Sequence, residues 1–377
     1  ANDSYHSTTS VTVSWTGTDN YGIDHYLVRL DDGTWVTVYT ASYTFSDLAE
    51  GWHTVYIKAV DLAGNMKEVK VLFCNDYTPP TFQTWSPSND TYTNNTDITV
   101  TWEATDNIEL DHYEVQLDTG GWIDVGASTS HTFYGVAEGD HKAYIMAVDK
   151  AGNSKVIIIS IHVDTTDPSI SITSPQDNYY TNSTQVDVSW EGSDNYFVDC
   201  YRVYIDGVYQ GTTTGTSWSF TGLGEGWHTV EIVAVDKAGN TGSDSIQVCV
   251  DLTEPEFVSV SPGDGSYFNV STVDVSYVFS DSEGIDHYCF NYNGSWVYTE
   301  EAGFSIAGAP EGDMVVFIRA YDFAGNMKEI NITLHFDYTA PELTGVTPAN
   351  NSYVATGEFT VSYTFTDNYN VSHYYYN

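Results

Sequence analysis

An all-β chain of tandem β-sandwich domains is predicted by three observations: a composition led by Thr, Val, Tyr and Ser, apolar positions that recur with a period of two, and a phrase that returns about every 87 residues. The spacing comes first, because it fixes the organisation. Pro80, Pro168, Pro255 and Pro341 lie 88, 87 and 86 residues apart by subtraction. Between them recur Ala59-Val-Asp61-Leu-Ala-Gly-Asn65, Ala147-Val-Asp149-Lys-Ala-Gly-Asn153, Ala234-Val-Asp236-Lys-Ala-Gly-Asn240 and Ala320-Tyr-Asp322-Phe-Ala-Gly-Asn326. The expected domains are 1–78, 79–166, 167–253, 254–339 and a partial 340–377. Ala1-Asn2-Asp-Ser-Tyr5 matches Ala349-Asn350-Asn-Ser-Tyr353, so the chain is expected to start and stop inside a repeat and the natural protein to continue past both ends.

Within each unit, apolar residues alternate with polar ones, the pattern of a strand with one buried face. Strand B reads Val11-Val13-Trp15, Ile98-Val100-Trp102, Val186-Val188-Trp190, Val273-Val275-Tyr277 and Phe359-Val361-Tyr363. Strand C begins at His25-Tyr26-Leu27-Val28, and Gly-containing turns such as Asp32-Gly33 and Gly120-Gly121 close it. A further strand is expected to end at the phrase Glu50-Gly51-Trp52-His53 and its copies. Strand F follows at Val55-Ile57-Ala59, and strand G runs from Lys155 to Val163 in the second unit. About seven short strands per unit is the pattern of an immunoglobulin-like or fibronectin III-like sandwich.

The Ala-Val-Asp-x-Ala-Gly-Asn phrase and the Val163-Asp164-Thr-Thr-Asp-Pro168 linker resemble tandem bacterial Ig-like (Big-type) repeats of large surface adhesins and similar modules of archaeal cell-surface proteins. The resemblance covers essentially the whole chain. It implies an extracellular stalk, fibre, filament or S-layer-associated protein, with copies of itself or other surface proteins as partners. Glycan- or protein-binding modules and a spacer attached to an exported hydrolase are the alternatives, because such modules serve many roles.

Charge narrows the partners. Asp and Glu number 52 against 11 Lys and Arg, a formal charge of -41, and such a surface repels nucleic acid and anionic lipid. A hydrophobic content of 41% with 15% aromatics argues for packed cores over a disordered acidic chain. Divalent cations and salt adaptation both account for the acidity. No run approaches the roughly eighteen apolar residues of a membrane span, so no membrane insertion is expected within these residues. Nine N-x-Ser/Thr sequons, at Asn2, Asn89, Asn94, Asn182, Asn269, Asn293, Asn331, Asn350 and Asn370, are candidate glycosylation sites on a secreted chain.

The four cysteines form no framework. Only Cys200 and Cys249 share a unit, on strands C and G with F between them, beyond the reach of about 7 Å for a bridge. Free thiols or bonds between subunits are expected.

One constellation carries chemistry. In a sandwich of this topology the B–C loop, the F–G loop and the incoming linker meet at one pole, facing the preceding domain. Linker residues Asp76, Asp164, Asp251 and Asp337 would meet B–C residues Asp106, Asp194, Asp281 and Asp367 and F–G residues Asp149, Asp236 and Asp322. Three carboxylates at a joint suit Ca²⁺, which takes six to eight oxygens, and clamping each joint would turn a string of domains into a rod. The arrangement resembles the calcium-stiffened joints of cadherins and large bacterial adhesins. Asp before a tight turn also bonds its own backbone, which accounts for the same residues without a metal. The fourth unit departs, with Ser282 where the others have Asn20, Asn107, Asn195 and Asn368.

His25, His112, His287 and His373, and again His53, His141 and His228, recur without zinc spacing and read as packing residues. Trp35, Trp122, Tyr209 and Trp296 recur at the C-strand turn, where they either cover an edge or stack on sugar rings. No nucleophile elbow, zinc-protease, P-loop or dinucleotide motif occurs, so neither an enzyme nor an organic cofactor is expected.

Overall fold

Strand B of the second repeat (Ile98–Thr105) shows how the pattern becomes a fold: Ile98, Val100, Trp102 and Ala104 are buried while Thr99, Thr101, Glu103 and Thr105 are exposed. A computed structural model describes residues 3–353, 355, 357–373 and 375, and strands are the regular elements throughout. Among the described residues no helix is long and apolar enough to cross a membrane.

The second repeat has eight strands: A (Thr81–Ser86), A′ (Thr91–Thr93), B (Ile98–Thr105), C (Leu110–Leu117), C′ (Ile123–Gly126), E (Ser130–Phe133), F (Gly139–Asp149) and G (Ser154–Val163). Strands A, B and E form a three-stranded sheet in the order E-B-A, and the other five form C′-C-F-G-A′. The first strand is thus divided, with Pro87 between A and A′, so that A joins one sheet and A′ runs parallel to the end of G in the other. That division gives one strand more than the alternation implies. Both orders recur in the third and fourth repeats. In the first repeat the described strands are A′ through G, with B paired to E alone. In the fifth, Glu342–Thr347 pairs with Ser362–Thr366.

The phrase Glu50-Gly51-Trp52-His53 corrects one expectation. Strand E ends earlier, at Phe45, and strand F (Gly51–Asp61) begins at the glycine. Gly51, Gly139, Gly226 and Gly312 all hold φ between 115° and 138°, a conformation that side chains with Cβ rarely adopt. The motif is therefore the E–F corner, which leaves the preceding Glu free to project from a loop.

Each core lies between the two sheets. In the second repeat it contains Val100, Trp102, Val115, Ile145, Ile159 and Ile161. Burial of each such side chain stabilises by about 1.5–3 kcal/mol. A B–C aromatic pair recurs edge to face at 5.4 Å for Trp15 and Tyr26, 5.6 Å for Trp102 and Tyr113, and 5.5 Å for Trp190 and Tyr201. Cys74, Cys200, Cys249 and Cys289 are free, and strand F stands between C and G as the spacing argument required.

The chain divides into two compact units. One comprises Ala1–Ser169, Ser193–Asp199 and Val235–Gly242, and the other Ile170–Gly192, Cys200–Ala234 and Ser243–Asn377. The first unit includes the B–C and F–G loops of the third repeat, so the first and second carboxylate sets lie within it and the third lies within the other.

Candidate metal centres at the domain joints

The F–G turn places the first carboxylate. Asp149 ends strand F, and its Oδ1 accepts the amides of Ala151 and Asn153 at 2.8 and 2.9 Å, while its Oδ2 accepts Asn153 Nδ2 at 2.7 Å. The B–C loop places the second: Asp106 Oδ2 accepts the amides of Ile108 and Glu109 at 2.8 and 3.1 Å. The linker places the third. The amide of Asp76 donates to the carbonyl of His6 on strand A′ at 2.8 Å, and its Oδ1 accepts the amide of Thr78 at 3.2 Å. In each loop aspartate the turn amides hold one side of the carboxylate and so set where the other points.

These three side chains converge, with one oxygen from each within 4.8 Å of the others. Asp164, Asp194 and Asp236 repeat the arrangement at the second joint, and Asp251, Asp281 and Asp322 at the third. The linker and F–G members are buried, with Asp76 at 0% exposure and Asp149 at 2%. Asp76 Oδ2, Asp106 Oδ1, Asp164 Oδ2, Asp194 Oδ1 and Asp251 Oδ2 are buried with no hydrogen-bond partner. A buried carboxylate oxygen without a donor is costly, and several facing one another more so.

Electrostatics records the same conflict. Burial pushes the Asp76 carboxyl up to about 6; the amide of Thr78 opposes the rise, and the charges of Asp106, Asp149 and Glu50 add to it. Asp164 is also raised, first by burial and then by Asp194 and Asp236, against the bonds from Thr166 and Asn195. Asp61 is the internal control. Its turn with Asn65 is the same, but it faces no linker aspartate, and the Asn65 bonds hold its carboxyl below the usual range. The F–G turn by itself thus lowers an aspartate, whereas burial at the joint raises the linker members Asp76 and Asp164.

The fourth joint is only partly present. Asp367 Oδ1 accepts the amide of Tyr369, its Oδ2 lacks a partner, and Asp337 is held through Phe268, with no F–G aspartate among these residues to complete the set.

Two further residues belong to the joint although their recurrence in the sequence reads as turn chemistry. Asn153, the last residue of Ala-Gly-Asn, donates from Nδ2 to the main-chain carbonyl of Asp76 at 2.8 Å. Asn240 reaches Asp164 and Asn326 reaches Asp251 in the same way, each at 2.8 Å. Glu50, on the E–F corner, accepts from Thr78 Oγ1 at 2.6 Å, the amide of Tyr77 at 3.0 Å and Asn107 Nδ2 at 2.9 Å. Glu138 likewise holds Thr166 and Asn195, and Glu311 holds Thr339 and Asn368. At the third joint Ser282 removes the Asn partner, and Thr253 Oγ1 turns to Asp251 Oδ1 at 3.0 Å.

Around the carboxylates the joints alternate in chemistry. Tyr5 packs on Trp52 and Tyr180 on Trp227, at 5.6 and 5.2 Å. In the intervening joints Tyr92 stacks on His162 and Tyr267 on His335, at 4.3 and 4.4 Å, with Asp140 and Asp313 bonded to those imidazoles.

The recurring histidines are packing residues, each tied to a carboxylate or hydroxyl. His25, His112 and His287 bond the neighbouring Asp24, Asp111 and Asp286, while His53, His141 and His228 bond Asp31, Asp118 and Asp206. His373 bonds Ser372. Among the recurring aromatics, Trp35 lies beneath Arg29 and Lys58, Trp296 beneath Arg319 at 3.7 Å, Trp122 edges Tyr144, and Tyr209 bonds Thr212.

The fold and these joints define a tandem array of Ig-like β-sandwich domains. Residues 168–232, in the third repeat, match the family model of the bacterial Ig domain. Bacillopeptidase F of Bacillus subtilis (strain 168) is 26% identical over 213 residues, and the match covers 56% of this chain and 14% of that protein's length. Among solved structures, the tetra-tandem repeat in the extending region of a large adhesion protein is 22% identical, covering 88% of this chain and 96% of that one with a TM-score of 0.34. The fibronectin(III)-like modules of Clostridium thermocellum CbhA are 17% identical, covering 46% and 94%, with a TM-score of 0.36.

Proposed function

We propose that the chain is part of an extracellular structural or adhesive repeat array whose domain joints bind Ca²⁺. The observation that carries the reading is the convergence of three aspartates at each of three successive joints, the linker and F–G members buried, with donorless buried oxygens on Asp76 and Asp106, on Asp164 and Asp194, and on Asp251. A hard cation that takes oxygen ligands resolves that conflict. Asp76, Asp106 and Asp149, and their counterparts, would supply the charged ligands, with carbonyls and water completing the shell. Transition metals that favour nitrogen or sulfur find no such set there. Because the ligands come from a linker and from two loops of the following repeat, binding would oppose separation of the two.

The test is calorimetric titration of the chelator-treated chain with Ca²⁺, with thermal unfolding followed in parallel. Three ions per chain are expected, one per complete set. At a free concentration one hundred times Kd, each adds about 2.7 kcal/mol. No binding heat and an unchanged midpoint would remove Ca²⁺ and leave turn chemistry. A second reading, a spacer attached to an exported hydrolase, draws on the partial match to Bacillopeptidase F. Finding a catalytic domain elsewhere in the same gene would favour it.

A further inference from the structure

The turn between strands A′ and B is held at both ends and leaves one asparagine side chain unengaged. In the second repeat the carbonyl of Thr93 accepts the amide of Asp164 at 2.9 Å, and the carbonyl of Thr96 accepts the amide of Val136 at 2.8 Å. In the third, Thr181 accepts Asp251 at 3.0 Å and Thr184 accepts Leu223 at 3.0 Å. In the fourth, Phe268 accepts Asp337 at 2.9 Å and Ser271 accepts Ala309 at 3.1 Å. Two residues bulge between the anchors each time, and the first of them is Asn94, Asn182 or Asn269. All three are exposed, and no hydrogen bond, ion pair or ring contact engages their side chains. Each is followed at the second position by Thr96, Thr184 or Ser271, the anchoring residue itself.

We infer that this turn is the N-glycan acceptor of the repeat, with Asn94, Asn182 and Asn269 as the modified residues. An acceptor asparagine must present its carboxamide nitrogen to a bulky donor, which a free side chain on an exposed, anchored turn does. In the transfer, Asn Nδ2 forms a bond to the anomeric carbon of a glycan carried on a polyprenyl phosphate. The bond from that carbon to the phosphate oxygen breaks, the electron pair leaves with the polyprenyl phosphate, and the amide gives up one proton.

Asn350 and Asn370 are also exposed but lie outside this turn, and the remaining sequons are built differently. Asn89 accepts the amide of Ser160 at 2.9 Å and donates to Asp90, so its carboxamide is part of the link between A′ and strand G. Asn331 lies inside strand G, opposite Phe317 in the ladder with F. Asn293 accepts the amide of Ser295, its own sequon hydroxyl residue. Asn2 lies outside the described residues. The turn also stands one residue from the carbonyl that anchors the linker aspartate, and Asn269 shares a cleft with the linker residue Tyr338. A glycan here would flank the joint without displacing any carboxylate, so the inference stands apart from the Ca²⁺ reading.

The experiment is site-by-site glycopeptide mass spectrometry of the protein isolated from the cells that make it. Thr96→Ala, which removes the acceptor sequence but keeps Asn94, serves as the variant. Sugar on Asn94, Asn182 and Asn269 in most molecules, little on Asn89 and Asn331, and loss at Asn94 alone in the variant is the expected result. Bare asparagines at the three turns, or occupancy at Asn89 and Asn331 equal to theirs, overturns it.

Discussion

Asn153 joins two domains with one amide group: Nδ2 donates to Asp149 Oδ2 within its own turn and to the main-chain carbonyl of Asp76 in the incoming linker. The first bond has a counterpart in Asn65 and Asp61, so the turn forms without a partner, and the second is what the joint adds. Asn153→Ala should leave a buried carbonyl and a carboxylate oxygen short of a donor. The expected cost is about 1–3 kcal/mol with chelator present. Urea unfolding of the variant with and without Ca²⁺ checks this; an unchanged midpoint in chelator would mean that the bond adds nothing.

Asp76 predicts opposite effects with and without metal. Its folded carboxyl is raised to about 6, above the unfolded value of about 3.9, so the metal-free fold binds the proton more tightly than the unfolded chain. That contribution is fully present below the unfolded value and is lost as pH rises through 6. Metal-free protein should therefore gain stability on acidification from pH 7 to 4, by about 1–3 kcal/mol at this joint. Asp76→Asn should raise the metal-free unfolding midpoint at pH 7 and reduce the bound Ca²⁺ by one ion. Calorimetry at both pH values is decisive: a variant that melts lower without metal contradicts the account.

Much of this was legible in the sequence because strand alternation and loop aspartates are local signals. Val100 and Trp102 announce their buried face two residues apart, and Asp106 and Asp149 sit at loop positions that any sandwich brings to one pole. Glu50 was not legible in its role, because a side chain on the E–F corner gains partners only when the linker and Asn107 dock beside it. The same corner reads in the sequence as the end of a strand. The backbone of Gly51 makes it a beginning. Pro87 hid the division of the first strand, since an apolar pattern does not say which sheet receives each half.

His53 holds the E–F corner by a proton-dependent brace. Its Nδ1 faces Asp31 Oδ2 at 2.8 Å and its Nε2 faces the carbonyl of Ala49 at 2.9 Å, so both nitrogens must carry hydrogen to satisfy both acceptors. Burial opposes the charge, yet the bonds to Ala49 and Asp31 win and the imidazole is raised. His141 and His228 are raised by the same pairings against the same opposition. The stabilisation is present below the unfolded value of about 6.5 and is lost as pH rises through the folded one. In the fourth repeat Tyr292 and Met314 replace the acid and the base together. Imidazole proton shifts in an NMR titration should place the midpoints of His53, His141 and His228 above 6.5; midpoints below it for these three would refute the brace.

Ser282 makes the third joint the exception, and a single substitution should repair it. Glu50, Glu138 and Glu311 each clasp a linker threonine together with the asparagine of the next B–C loop, whereas Glu225 has no such asparagine to hold. The contacts across that joint include Trp227 to Glu283, Lys328 to Glu254, Asn326 to the Asp251 carbonyl and the ring contact of Tyr180 with Phe323. The Trp227 hydrogen bond and the Lys328 ion pair are both exposed, and an exposed ion pair contributes little, about 0–1 kcal/mol. In metal-free protein the linker amides of residues 251–256 should therefore exchange with solvent faster than those of 76–81 or 164–169. Ser282→Asn should slow that exchange severalfold by returning the Glu225 clasp, a gain of about 0.5–1.5 kcal/mol. Because the clasp needs no cation, the difference should persist in chelator. Equal exchange at all three linkers, or no response to Ser282→Asn, would mean that the glutamate clasp does not set the strength of the joint.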